Sequence, residues 1–358
     1  MSVHEILIIV MAAFAVLGAL DRIFGNRFGL GQQYEEGILA MGSLALAMVG
    51  IICLAPVLAN LLMPVAGPVY RFLGADPAMF AGTILACDMG GGSLAQAMTE
   101  NPQAAGLGGV ILGSMLGATI VFTIPVALGI LPEEDRPFLA KGILAGIVTI
   151  PVGVLVGGLV AGYPVLMVLR NLIPIVLIAA IIALGLWKAE KFMIKAFGWF
   201  GKGVIAVITV GLTAALVEAL TGFTIIPGMA PIEEGFLTAG TIAIVLAGAF
   251  PLVLVITKLL KKPLMAFGKV LGVNETAAAG LIATLANSIA TFGMTKDMDR
   301  RGIVVNVAFA VSAAFVFGDH LGFTAGFAPE LLPAMILGKL AGGLSAIAVA
   351  LLLTKKEK

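Results

Sequence analysis

Residues 76–98 read DPAMFAGTILACDMGGGSLAQAM. The run is long and apolar enough to enter a membrane, yet Asp88 sits at its middle and Gly90, Gly91 and Gly92 follow at once. Each glycine costs a helix roughly 1 kcal/mol relative to alanine, so the segment is predicted to break or bend there. Unwound backbone at membrane depth is tolerated only where it is buried in protein or lines a watery cavity. A carboxylate at that depth is costly unless partnered. Two readings follow: Asp88, with Ser93 and Gln96, forms part of a site for a cation or amine, or Asp88 is salt-bridged to a lysine for packing.

The rest of the chain makes the membrane setting plain. Of 358 residues, 60% are hydrophobic and only 11% charged, against about 45–50% and about 25% in soluble domains. Such a chain cannot coat a water-facing surface. A net charge of +1 offers no field for nucleic acid or another polyionic partner, so the partner expected is the lipid bilayer. Apolar runs of about the twenty residues that a spanning helix needs occur near 5–22, 36–62, 76–98, 104–130, 138–161, 164–187, 203–220, 235–257, 275–296, 302–325 and 329–353. The residues before the first run carry no Lys or Arg, so it reads as a span and not as a cleaved leader.

Shifted by 198 residues, the chain matches itself without a gap. Glu35-Glu36-Gly37 falls on Glu233-Glu234-Gly235, Gly74 on Gly272, Ala81-Gly82 on Ala279-Gly280, Ser93 on Thr291 and Lys141 on Lys339. Matched polar positions carry weight where polar residues are rare, so a duplication is expected. Lys and Arg favour the cytoplasmic side. They cluster in 188–202, in 258–269, at Lys296, Arg300 and Arg301, and in the tail Lys355, Lys356 and Lys358. All four clusters share one side only if 275–296 enters and leaves on the same face, and the repeat asks the same of 76–98. The expected fold is therefore an all-α polytopic membrane protein of about nine spans and two re-entrant or broken segments. Its halves, 1–163 and 203–358, are inverted and joined by a connecting helix and linker over 164–202, with the C-terminus cytoplasmic. Inverted repeats with broken helices are a recurring transporter design whose substrate site lies at the repeat interface.

The mate of the Asp88 segment, 275–296, offers Asn287, Ser288 and Thr291, with Ala286 standing at the Asp88 position. These three either complete an asymmetric site for one small cation or tie helices together by hydrogen bonds. Segment 302–325 carries Asn306 and then Asp319-His320, which form either a proton relay for coupling or gating or an interfacial pair near a helix end. Lys141 and Lys339 read as snorkelling or counter-ion residues.

Enzyme chemistry finds little footing. Membrane aspartyl proteases pair two aspartates, one in a Gly-x-Gly-Asp context, whereas Val316-Phe317-Gly318 precedes Asp319 here. No GxxxxGK[ST] loop occurs. Cys53 and Cys87 have no metal-ligand spacing and only His4 and His320 could join them, so neither a metal nor a cofactor is expected.

The stretches GADPAMFAGTILACDMGGGSLAQAM (74–98), GVNETAAAGLIATLANSIATFGMTKDMDRRGIVVN (272–306) and FGDHLGF (317–323) resemble the ethanolamine transporter family of bacterial ethanolamine utilisation operons, a likeness that runs over essentially the whole chain. The resemblance implies import of ethanolamine across the bacterial cytoplasmic membrane, feeding an ammonia-lyase housed in a microcompartment. It leaves open facilitated diffusion, proton- or sodium-coupled symport, and a homo-oligomer suggested by the excess of apolar surface. Ethanolamine near neutral pH is an ammonium with one hydroxyl. It calls for one carboxylate or an aromatic cage and a few amide or hydroxyl groups.

Overall fold

The computed structural model of the chain describes residues 2–355; Lys356, Glu357 and Lys358 of the expected cytoplasmic tail lie outside them. No strand occurs among the described residues, and eight helices there are long and apolar enough to cross a membrane. They are α1 (Val3–Ile23), α2 (Leu30–Phe72), α5 (Pro102–Ile130), α6 (Glu133–Val160), α7 (Val165–Lys188), α8 (Glu190–Thr221), α9 (Ile232–Leu271) and α14 (Leu332–Leu353). The remaining apolar segments are broken. Residues 76–98 form α3 (Ala78–Ile84) and α4 (Gly91–Met98), and 275–296 form α10 (Glu275–Ala286) and α11 (Ser288–Gly293). The expected continuous span 302–325 is also split, into α12 (Arg300–Ala313) and α13 (Asp319–Phe327).

The first break falls just before the glycines and ends on the first of them. Leu85 and Ala86 are extended, Cys87–Met89 make a single tight turn, and Gly90 takes a left-handed φ of 87° before α4 begins. A Cβ on Gly90 would lie 2.1 Å from the Ile51 side chain, so both the dihedral and the space call for glycine. In the second hairpin the breaker is Asn287, extended, whose side-chain oxygen accepts from the Ile289 amide at 2.8 Å and so caps α11.

Each broken hairpin doubles back, so that its two ends meet. In the first, the Thr99 hydroxyl donates to Asp76 (2.9 Å). In the second, the Asn274 amide donates to Asp299 (2.8 Å) and its side chain to the Asp297 carbonyl (2.8 Å). The two mouths lie at opposite ends of α5. Thr99 and Asn101 abut its first turn, whereas Arg300 stacks over Phe138, just beyond its last turn. Arg301 also borders Gly272 at the second mouth, and Lys258 donates to the Phe28 carbonyl. The basic stretch 258–269 is not a loop: it continues α9 as helix to Leu271.

Shifting the first-half elements by 198 sends α2 to 228–270, α5 to 300–328 and α6 to 331–358. The helices found there are α9, then α12 with α13, then α14. α2 and α9 pack along each other, α1 lies on α9, and α8, standing at the shifted position of α1, lies on α2. The first hairpin rests directly on the backbone of α5, since a Cβ on Gly82 would sit 1.8 Å from the Gly108 carbonyl oxygen. From Gly106 to Thr123, α5 is wound mostly as π-helix, a form concentrated at functional sites. Large apolar side chains such as Phe72, Trp187, Trp199 and Leu220 point outward, as a lipid-facing shell requires.

Candidate functional site

The first break and the α12–α13 break face one chamber of about 210 Å³. Ala40, Ser43, Leu44 and Ala47 of α2 form one wall, and Ala86, Asp88 and Met89 of the first break form the next. Ala118 and Phe122 of α5 and Phe315, Asp319 and His320 of the α12–α13 break close it. The polar groups are thus carried by interrupted backbone, held by small residues on a continuous helix.

The α12–α13 break is held by the second hairpin. The Phe315 amide donates to the Thr284 carbonyl (3.2 Å) and the Phe317 amide to the Leu285 carbonyl (2.8 Å), so backbone groups freed by one broken helix satisfy those of another. Phe315 itself has a φ of 62°. A bulky residue in the left-handed region is strained by about 1–3 kcal/mol and persists only where its surroundings dictate it. Here the strain turns the Phe315 ring into the chamber, edge-on to Phe122 at 5.4 Å between centroids and 5.4 Å from the His320 ring.

Asp88 faces His320 across a gap of 3.6 Å between Oδ1 and Nε2. The two groups are close, but the gap is too long for a hydrogen bond, and the Asp88 oxygen and the His320 Nδ1 have no other partner among the described residues. Asp319 lies within electrostatic reach of Asp88. Buried polar atoms left unpaired are rare, so this side of the chamber is arranged for something that brings its own donors. Behind the wall stands Lys339 of α14, 1% exposed, whose ammonium donates to the Ser114 carbonyl of the π-wound α5 and acts electrostatically on Asp88 and Cys87.

Of the residues singled out from sequence, the fold brings Asp88, Asp319 and His320 together on the chamber wall. His320 is 2% exposed and stands in the first turn of α13, which starts at the break. The other residues stand elsewhere. Ser93 is half-buried one turn along α4, and Gln96 is exposed and lines a second cavity of about 270 Å³ with Glu100, Tyr163, Phe327 and Glu330. Asn287 is spent as the α11 cap, and Ser288 is fully buried with its hydroxyl unpaired. The Thr291 hydroxyl is engaged with Thr284 (2.8 Å) and the Gly280 carbonyl (3.0 Å), locking the two limbs of the hairpin. Asn306 donates to the Ala277 and Gly302 carbonyls, both at 2.9 Å, tying α12 to α10.

A Thr291→Val variant is therefore expected to lose about 1–2 kcal/mol of stability, read as a lower thermal midpoint in detergent, with substrate affinity unchanged. A changed affinity would return Thr291 to the site.

Phe122, Phe315 and Lys339 were not legible as site residues. A phenylalanine in an apolar run looks the same whether it meets lipid or ligand, and Lys339 sits near a helix start, where snorkelling is the ordinary expectation. The matched pair Lys141–Lys339 was the available signal, but the two diverge: Lys141 is half-exposed over the Phe138 ring. Cys87, Asp88 and His320 offer ligand atoms within 4.8 Å of one another, a spacing a metal ion could bridge, but the nearby Lys339 ammonium opposes a divalent ion there.

Eight spanning helices and a charged chamber at the junction of broken helices have the build of a multi-pass membrane transporter. Comparison with known proteins agrees. The model of the family "Ethanolamine utilisation protein, EutH" matches residues 3–353, and the chain belongs to that family. It is 62% identical, over 99% of its length and 95% of the relative's, to the "Probable ethanolamine permease EutH" of Listeria monocytogenes. It is 53% identical to the protein YxeR of Bacillus subtilis, over 100% of this chain and 96% of the relative. The "Probable ethanolamine permease EutH" of Escherichia coli is 50% identical, with 100% of this chain and 97% of the relative covered. No solved structure matches the chain.

Proposed function

We propose that this chain is an ethanolamine permease of the bacterial cytoplasmic membrane, importing its substrate as the ammonium by facilitated diffusion through the chamber at Asp88. The observation that carries the reading is the chamber's chemistry: two carboxylates, Asp88 and Asp319, beside the rings of Phe122 and Phe315. An organic ammonium is held by carboxylate charge and by aromatic faces. Four heavy atoms fill on the order of 100 Å³ at liquid density, so the chamber has room for ethanolamine with a few waters. The hydroxyl can reach His320 or Ser43, the neutral hydrogen-bonding side chains on the wall.

The repeat supports alternating access. Corresponding elements recur at an offset of 198, and the hairpin mouths open toward opposite ends of α5. On this reading 1–163 and 203–358 are inverted halves joined through 164–202. The ends carrying Arg301, Lys258 and the tail from Lys355 face the cytoplasm, and the α12–α13 pair crosses the membrane as the ninth, broken span.

The test is uptake of labelled ethanolamine into proteoliposomes, with and without an imposed proton gradient. Saturable uptake that equilibrates is expected. The presence of His320 on the wall favours a second reading, proton-coupled symport, which accumulation above equilibrium would establish; absence of saturable uptake would overturn both. Phe122→Leu is expected to raise KM about fivefold or more through loss of one aromatic face, with less effect on the maximal rate. An unchanged KM would remove the cage from the account.

A further inference from the structure

We propose that Lys339 is a resident counter-ion of the chamber, occupying Asp88 electrostatically when no substrate is bound and limiting the site to one monovalent cation. The inference rests on the permease reading above and adds to it a residue that touches neither substrate nor chamber surface.

Charge accounting carries the argument. The groups within electrostatic reach of one another here are Cys87 and Asp88 from the first break, Asp319 and His320 from α13, and Lys339 from α14, which is bound to the Ser114 carbonyl of α5. In formal charge they comprise two carboxylates and one ammonium, so the set is one positive charge short of neutral. A single organic ammonium completes it. A second cation, or a divalent one, would leave excess positive charge in a low-dielectric site, where like charges cost several kcal/mol.

Lys339 has the placement this role requires. At 1% exposure it cannot snorkel, and one N–H is bound to the Ser114 carbonyl, which anchors it on α5. Gly113, next to that carbonyl, packs against the Cys87 backbone, 3.2 Å from a Cβ built on it, so the lysine stands behind the turn that carries Asp88, whose Oδ1 has no hydrogen-bond partner among the described residues. Lys339 therefore attracts Asp88 without capping it, and a substrate ammonium arriving from the chamber side meets both the carboxylate and the repulsion of the lysine. That repulsion lowers affinity and speeds release, as a permease working near equilibrium needs. It also leaves the empty site with a smaller buried charge.

The test uses the full chain in nanodiscs, with ethanolammonium binding measured by calorimetry and the thermal midpoint followed in parallel. Variants are Lys339→Gln, which keeps a donor for Ser114 without the charge, Lys339→Arg, which keeps the charge, and the double variant Asp88→Asn with Lys339→Gln. Lys339→Gln is expected to bind ethanolammonium about tenfold tighter or more, with reconstituted uptake showing both a lower KM and a lower maximal rate. Lys339→Arg should bind no tighter than wild type. The double variant should melt above Asp88→Asn alone, because replacing both members of a buried pair costs less than orphaning one. Binding by Lys339→Gln that is unchanged or weaker overturns the proposal. Should that variant fail to fold, recovery of folding in the double variant supports the pair, and failure of both shows that Lys339 merely braces α5. Absence of binding by the wild-type protein would defeat the permease reading instead, while the melting cycle would still decide the pairing.

Discussion

Asp88→Asn is expected to reduce ethanolamine uptake at least about 100-fold in protein that still folds. The carboxylate stands on the chamber wall with an unpaired oxygen, 3.6 Å from the His320 nitrogen and within electrostatic reach of Lys339. Asparagine keeps the shape and deletes the charge, so a cationic substrate loses its attraction while the lysine's repulsion stays. Truncating one member of a buried charged set costs about 3–5 kcal/mol, and each 1.4 kcal/mol is tenfold in affinity. Part of that cost should appear as a lower melting temperature, because Lys339 is left without its anion. Monodisperse behaviour on size exclusion separates lost transport from lost fold. Wild-type uptake by a folded Asp88→Asn protein would show that the chamber is not the substrate's route.

Gly90→Ala should be severely damaging for the addition of a single methyl. Two costs arise from one carbon. The left-handed backbone costs a non-glycine residue about 1–2 kcal/mol. The new Cβ, 2.1 Å from Ile51 Cγ2, overpacks a full core for about 1–3 more. The expected loss is roughly 2–5 kcal/mol in stability, with uptake falling as the turn that presents Asp88 is displaced. Adding Ile51→Ala should not rescue it, because the Ile51 Cβ that alanine keeps is 2.5 Å from the new methyl and the truncation leaves a cavity of its own. No effect of Gly90→Ala on melting or uptake would mean that the break is not needed in this form.

Both predictions concern a site that was only half legible in the residues. Asp88, Asp319 and His320 stood out because a carboxylate or imidazole in an apolar run needs a reason, and the fold puts all three on one chamber wall. Thr291, Asn306 and Asn287 stood out by the same logic and proved to be fastening points, each with its side chain engaged by backbone or by Thr284. Polarity marks a buried hydrogen bond; it does not tell whether the partner is a ligand or a carbonyl. Aromatic residues give the opposite problem, since Phe122 and Phe315 are indistinguishable in sequence from the lipid-facing Phe72.

Composition alone placed this chain in lipid, since 11% charged residues cannot clothe a soluble surface. The glycine run after Asp88 announced a break nearby, and of the three it is Gly90 that closes it, at a left-handed φ that favours glycine, while Gly91 and Gly92 already begin α4. The self-match at 198 residues is likewise read from order along the chain alone. The break at Ala314–Gly318 had no such signal: no glycine run precedes it, and Phe315 is held at a positive φ by hydrogen bonds from a hairpin some 30 residues away. The inward path of Lys339 and the convergence of both breaks on one chamber were also settled only in three dimensions. They depend on which helix lies behind which, and long-range packing energy has no imprint at a single position.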